Sequence, residues 1–222
     1  MMHKETITVN NQATVIGEIT SAPVFSHATL GDNFYRMEVS CPRLSGYHDV
    51  IPVTVSDRLV DMEEMAVGRT VCVRGPFHSR SFHDADRVRV MLSVSARETG
   101  FISGNGTDPR TNNQIFLDGY ICRMPVYRKT PLGRQITDIL LAVNCSFGKK
   151  DRIPCVVWDR GARYAGNLPV GTRVTVQGRI QSRGYTKRFP DGTEEERTAF
   201  EVSVSSIARA GEYGEPEEGT WC

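Results

Sequence analysis

The 222-residue chain repeats itself at a constant spacing of 102 residues. Asn11-Gln12 and Gly17-x-Ile19 return as Asn113-Gln114 and Gly119-x-Ile121, and Pro23-Val24-Phe25 returns as Pro125-Val126-Tyr127. Leu30-Gly31 returns as Leu132-Gly133, and Ile51-Pro52 through Asp57-Arg58 as Ile153-Pro154 through Asp159-Arg160. After one extra residue, Val67-Gly68, Val71, Val73, Gly75 and Ser79-Arg80 match Val170-Gly171, Val174, Val176, Gly178 and Ser182-Arg183. So long an agreement marks a tandem duplication, and a duplicated chain must build two similar units in succession. The length suits two modest cores of roughly 100 residues each. The boundaries expected are a first copy over 1–103, a linker over 104–111 rich in Gly, Asn and Pro, a second copy over 112–210, and a short acidic tail over 211–222.

Within each copy the apolar residues recur with period two. Val174, Val176 and Ile180 alternate with Thr175, Gln177, Arg179 and Gln181, and Val88, Val90, Leu92 and Val94 alternate with Arg87, Arg89, Met91 and Ser93. This describes strands with one face on a core. Five strands are predicted near 10–22, 33–42, 49–56, 69–80 and 87–97, and five more near 112–124, 135–146, 151–158, 172–183 and 197–208. Asp57 to Ala66 and Asp159 to Leu168 break the alternation and are predicted as short helices, with Asp57 and Asp159 as N-caps. The fold class is therefore all-β: two tandem OB-type five-stranded Greek-key barrels, each with a short helix between strands 3 and 4. Copy two carries an insertion from Gly184 to Arg197 whose Phe189-Pro190-Asp191-Gly192 turn signal predicts an extended hairpin.

Charge separates the copies. Residues 1–105 hold 10 basic and 12 acidic side chains, whereas residues 106–210 hold 17 basic and 10 acidic, a net +7. Such asymmetry points to nucleic acid on the second copy. The six cysteines are scattered with no C-x-x-C pair, so they read as reduced thiols and imply no zinc or other cofactor. No phosphate-cradling Gly loop, H-E-x-x-H or nucleophile elbow occurs, which argues against an enzyme. The N-terminal residues carry no apolar leader and no later run is long enough to cross a bilayer, so a cytoplasmic, nucleoid-associated protein is expected.

Trp158 is the leading candidate for base contact. Alternation sends Cys155 and Val157 inward and Val156 and Trp158 outward, and the counterpart of Trp158 in copy one is Ser56. A large aromatic on the outer face of a strand is a natural platform for a nucleobase. Tyr185, Lys187, Arg188 and Phe189 interleave rings and cations along the hairpin, a pattern that suits a flexible strand of bases and phosphates. The loop Tyr127-Arg128-Lys129-Thr130-Pro131-Leu132-Gly133-Arg134 adds one ring and three cations, and Arg152, Arg179 and Arg183 fall at outward positions or beside them. Copy one offers a poorer set: Phe25, Phe34, Arg74, Arg80 and Phe82.

Residues 113–207 resemble the bacterial single-stranded DNA-binding protein family. The resemblance rests on Leu117-x-Gly119-x-Ile121-x-x-x-Pro125, Thr130-x-Leu132-Gly133, Leu141-Ala142-Val143-Asn144, Ile153-Pro154-x-Val156-Val157-Trp158, the run from Gly171 to Tyr185, and Phe200-x-Val202-x-Val204. It implies a groove in which aromatics stack bases while Lys and Arg follow the phosphates, with Trp158 and Tyr185 at two of the stacking positions. Arg152 stands where the family often has an aromatic. The family's usual four barrels per assembly imply a homodimer, and the acidic tail ending Trp221-Cys222 is a candidate recruiting tip for replication or repair proteins. The competing reading is an assembly module that buries the same aromatics against a protein partner.

Overall fold

The structure, a computed structural model, describes residues 10–84, 87–103, 107–145, 149–189 and 191–211, with backbone alone for 81–84 and 87–89. Copy one contains β1 (Asn11–Ile19), β2 (Val24–Thr29), β3 (Asp32–Pro42), β4 (His48–Ser56), β5 (Thr70–Gly75), β6 (Phe77–Asp84), β7 (Arg87–Ser95) and β8 (Glu98–Phe101). Copy two contains β9 (Asn113–Ile121), β10 (Val126–Lys129), β11 (Gln135–Asn144), β12 (Lys150–Trp158), α1 (Asp159–Gly166), β13 (Arg173–Arg188) and β14 (Glu194–Arg209).

Each copy closes into a five-stranded ring. In copy two β9 pairs with β13 and β11, β11 with β12, and β13 with β14, while the parallel β12–β14 contact closes the barrel. Copy one repeats this circuit, with β5 and β6 together as its fourth strand and β7 and β8 as its fifth. The period-two residues fill both interiors, with Val15, Val39, Val53, Val73 and Phe77 in one and Leu117, Leu141, Ile153, Val176 and Val202 in the other, all fully buried. β2 and β10 are short additions that fold back on β3 and β11.

The repeated glycines are explained by this closure. A Cβ on Gly178 would overlap the carbonyl oxygen of Ser203, and one on its counterpart Gly75 would overlap that of Ser95. Only hydrogen allows the fourth strand to pass so close to the fifth, at a point where β13 also shifts register between Gln177 and Gly178.

Among the described residues, the barrels meet at a joint formed by β1 and β9. β1 and β9 pair antiparallel with Ala13 opposite Ile115, and these two are counterparts in the repeat. A pseudo-two-fold axis therefore passes between them, and several contacts across the joint come in mated pairs. Asn10 Nδ2 donates to Asn144 O (2.7 Å) and Asn112 Nδ2 to Pro42 O (2.9 Å). Ile16 N donates to Asn112 O, and Asp118 N to Asn10 O. Asp49 Oδ1 accepts from Ser182 N (2.9 Å), while Asp151 Oδ1 accepts from Ser79 N (2.7 Å). Val50 N donates to Ser182 Oγ (3.0 Å) and Arg152 N to Ser79 Oγ (2.8 Å).

Three expectations are corrected. The helix forms only in copy two, where α1 buries Ala162 and Ala165; in copy one the interval after Ser56 is turns. There Asp61 accepts from Glu63 N (3.0 Å) and Glu64 N bonds Asp61 O, a local turn that competes with helix propagation. Neither aspartate is an N-cap: Trp158 caps α1 with extended backbone and no side-chain bond, while Asp57 binds Asn33. The fourth and fifth strands of copy one are each broken. Pro76, which lacks an N–H, separates β5 from β6, whereas its counterpart Arg179 lets β13 run on. The linker residues 104–106 and the tail residues 212–222 lie outside the described residues.

Two outcomes follow from this architecture. Gly178→Ala is expected to lower unfolding free energy by about 1–3 kcal/mol, the usual cost of overpacking, measured by denaturant titration; a change below about 0.5 kcal/mol would contradict the close-approach argument. The second concerns Asp151, which is buried. Burial pushes its carboxyl up, but hydrogen bonds from His78 and Ser79 and the His78 charge together hold it below the usual 3.8. The depressed value means that ionised Asp151 stabilises the fold above its unfolded pKa, and that this contribution is lost as pH falls through the folded value. Asp151→Asn is expected to be less stable than wild type at neutral pH and to lose less stability below about pH 4; parallel stability curves for the two proteins would refute the role given to Asp151.

Candidate nucleic-acid interface

The ladder β10–β11–β12–β14–β13 presents one outer face of copy two. Registers place Arg128 beside Ile136 and Trp158, Asp138 beside Val156 and Ser203, Ser203 beside Arg179, and Glu201 beside Gln181. Because side chains alternate across strands, Arg128, Trp158, Arg179, Gln181 and Arg183 all belong to this face, while Thr137 and Leu141 point to the other and are buried.

Trp158 ends β12 and is half-buried. Its Nε1 donates to Ser203 Oγ (3.2 Å), which fixes the ring's tilt. Arg134 lies over the ring, its guanidinium carbon 4.6 Å from the centroid, and donates to Asp159 Oδ2 (2.9 Å). The ring faces a cavity of about 540 Å³ that is also lined by Arg43, Arg179, Gln181, Ser182, Arg183 and Ser203.

The hairpin carries this face away from the barrel. Alternation from Arg183 puts Tyr185, Lys187 and Phe189 on the same side, with Arg197 opposite Tyr185 and Glu195 opposite Lys187. Lys187 Nζ lies 5.0 Å and the Arg197 guanidinium 5.7 Å from the Phe189 ring centroid. The acids that crowd this arm are partly turned away: Glu194 pairs with Arg188 (2.7 Å) and Glu196 with Thr186 on the reverse side. Glu195 remains on the front, held by Arg197 (2.7 Å). The hydrogen bond to Glu195 holds the Arg197 guanidinium pKa above its ordinary value.

Several of the candidates chosen from sequence are placed elsewhere. Tyr127 and Lys129 lie on the face of β10 opposite Arg128, with Tyr127 against Gly166 of α1. Arg188 is on the reverse of the hairpin. Arg152 shares the face of Trp158 but stands six residues along β12, about 20 Å away at strand rise, beside the joint. In copy one, Arg74 pairs with Glu98 (3.8 Å) and Arg80 donates to His27 Nε2 (2.7 Å). His27 stacks on Phe34 with centroids 4.8 Å apart, and burial followed by the Arg80 charge pushes its pKa down. Phe82 lies on β6, but its side chain is outside the described residues.

The +7 of the second copy is also less open than a count implies. Arg128 pairs with Asp138 (2.7 Å), Arg134 with Asp159 (2.9 Å), and Arg183 with Glu201 (3.7 Å). These cations are more than half exposed, and such pairs are worth only about 0–1 kcal/mol, so a polyanion can displace the acids. The sequence reading missed Arg43, Gln181 and Ser203. Gln181 and Ser203 were recoverable from strand alternation beside Arg179 and Val204; Arg43 has no counterpart in copy two, where Cys145 takes its place, and it reaches the face from the other copy.

Residues 112–210 match the Single-strand binding protein family. Single-stranded DNA-binding protein B of Bacillus subtilis is 34% identical over 80 residues, covering 33% of this chain and 71% of that protein. The chain belongs to the single-strand binding protein family. A Halalkalibacterium halodurans protein named single-stranded DNA-binding protein is 34% identical over 115 residues, covering 48% of this chain and 66% of that relative. Single-stranded DNA-binding protein 1 of Staphylococcus aureus is 40% identical over 80 residues, covering 33% of this chain and 48% of the relative. The match thus spans about half to two thirds of these relatives' length. The wild-type single-stranded DNA-binding protein of Thermus aquaticus has the same fold across both copies, with TM-score 0.71, 21% identity, and coverage of 94% of this chain and 96% of that one.

For this family member, Arg134→Ala should remove the cation above the Trp158 ring. In a Trp221→Phe background the indole emission is expected to shift to the red, with stability changed by no more than about 1 kcal/mol. An unchanged spectrum would contradict the stacked geometry.

Proposed function

We propose that the chain is a non-enzymatic, sequence-tolerant single-stranded DNA-binding protein that coats unpaired strands in replication, recombination or repair. The reading is carried by the half-buried Trp158 ring bordered by four arginines in an open cavity. A ring whose edge is pinned and whose surroundings are cationic offers a base face and phosphate neutralisation together, which is the chemistry of single-strand recognition without base readout. Tyr185, Lys187 and Phe189 extend the same face along the hairpin, and the names of the relatives support the assignment. Arg128, Arg134, Arg179 and Arg183 are the phosphate-binding candidates on this face, and Arg152 and Arg80 are candidates beside the joint. We assign residues 1–103 and 112–210 as the two domains, with copy one the weaker binder. Two barrels per chain are consistent with a homodimer of four, for which sedimentation should return twice the chain mass. The tail is proposed to recruit partner proteins.

Titration of wild type, Trp158→Ala and Trp221→Ala with oligo-dT at low and high salt tests the reading. Wild type is expected to show quenched indole emission and an affinity that falls with salt, and Trp158→Ala to bind roughly tenfold or more weakly, in line with about 1–3 kcal/mol per stacked base. Absence of salt-dependent binding by wild type would overturn it in favour of a protein-assembly role.

A further inference from the structure

The turn between β3 and β4 belongs to copy one, yet Arg43 within it lines the cavity in front of Trp158 of copy two. The turn is tight: Arg43 N donates to Tyr47 O (2.8 Å), Gly46 N donates to Arg43 O (3.0 Å), and Gly46 has the positive φ of 83° that such a turn needs. Arg43 is therefore presented by a fixed backbone.

Its side chain is fixed as well. Arg43 Nε and Nη2 both donate to Asp49, the first at 2.7 Å, and Arg179 Nη1 donates to the same carboxylate at 2.6 Å. Asp49 is 1% exposed, and its fourth bond comes from Ser182 N. Two guanidiniums thus share one buried carboxylate, and one positive charge is left over. Glu201, on the same face, is already engaged by Gln181 Nε2 (2.6 Å) and Arg183. Arg43 Nη1 has no hydrogen-bond partner among the described residues, and a quarter of the Arg43 side chain reaches solvent. Burial and the adjacent Arg43 charge oppose the protonated form of Arg179, and an anion in the cavity would offset the charge repulsion.

The mate of this cluster across the pseudo-two-fold axis lacks these features. Asp151 receives His78 Nδ1 (2.6 Å) and Ser79, and the counterparts of Arg43 and Arg179 are Cys145 and Pro76. Joint geometry alone therefore does not require the arginine pair. A second cavity, about 600 Å³, shares Arg43, Arg179 and Ser203 with the first and continues to Arg110 in the inter-copy segment.

We propose that Arg43 and Arg179, clamped on Asp49, form a phosphodiester-binding site in the groove of copy two, to which copy one contributes Arg43. The strand leaving Trp158 is carried across the joint toward Arg110. One surplus charge matches the single charge of a phosphodiester, and the free guanidinium N–H groups supply the donors. This inference rests on the single-strand binding proposed above.

The test measures oligo-dT affinity across a salt series for wild type, Arg43→Gln and Arg43→Lys, together with the thermal midpoint of each. Arg43→Gln is expected to bind roughly 3- to 10-fold more weakly at low salt and to flatten the log–log salt slope by about 0.7, the value for one single-strand phosphate contact. Arg43→Lys is expected to restore the slope. A wild-type affinity and slope in Arg43→Gln, with wild-type binding intact, would overturn this site and leave the wider reading standing. Weaker binding with an unchanged slope, or with a fallen thermal midpoint that Lys does not restore, would assign Arg43 a structural role and overturn the site as well. Failure of wild type to bind would remove the function itself.

Discussion

The rest of the structure depends on the antiparallel pairing of β1 with β9, because it converts two separate barrels into one continuous sheet. Backbone pairing over five residues would by itself tolerate slippage. Register is fixed by the groups on either side: the Asn10 and Asn112 amides reach the opposite copy's carbonyls, and two buried carboxylates, Asp49 and Asp151, each accept from the other copy's backbone. A buried carboxylate stripped of its donors is strongly unfavourable, so the joint is held in one geometry. That geometry decides which loop of copy one faces which strand of copy two.

The symmetry of the joint makes the divergence of its two sides informative. One side keeps a continuous fourth strand, a tryptophan at the end of the third and two arginines on its carboxylate. The other has Pro76 interrupting the strand, Ser56 in place of the tryptophan and a histidine on its carboxylate. Duplication supplied two equivalent frames, and the barrel circuit needs only the glycines, the core and the joint residues to be kept in both. Surface positions were free to differ, and most of the cations, together with Trp158, stand on copy two. The long β13–β14 hairpin, present on that side, extends the same face beyond the barrel.

Much of the fold is legible in the sequence because the repeat and the period-two pattern report backbone geometry directly. Gly178 and Gly75 recur since a Cβ cannot be fitted there, and Val174, Val176 and Ile180 alternate since one side of β13 is core. The missing helix of copy one was hidden because Asp57-Arg58 repeats Asp159-Arg160 while the deciding residue is Asp61, whose turn has no counterpart. For the site, Trp158 and the hairpin face follow from alternation. Tyr127 and Lys129 did not, because a loop's composition does not say that β10 pairs with β11 and turns alternate residues to opposite faces. Arg43 was out of reach: its role comes from a contact between copies, which no local pattern encodes. The pairing of Arg128, Arg134 and Arg183 with the carboxylates of Asp138, Asp159 and Glu201 was equally invisible to a charge count.

The central claim is that unpaired DNA lies on the outer face of copy two formed by β12, β13 and β14. Ultraviolet cross-linking of the full chain to oligo-dT, followed by mass mapping of the adducts, tests it most directly. The account expects adducts at Trp158, Tyr185 and Phe189; adducts confined to Tyr127, Tyr164 or Tyr120, on surfaces away from that face, would contradict it.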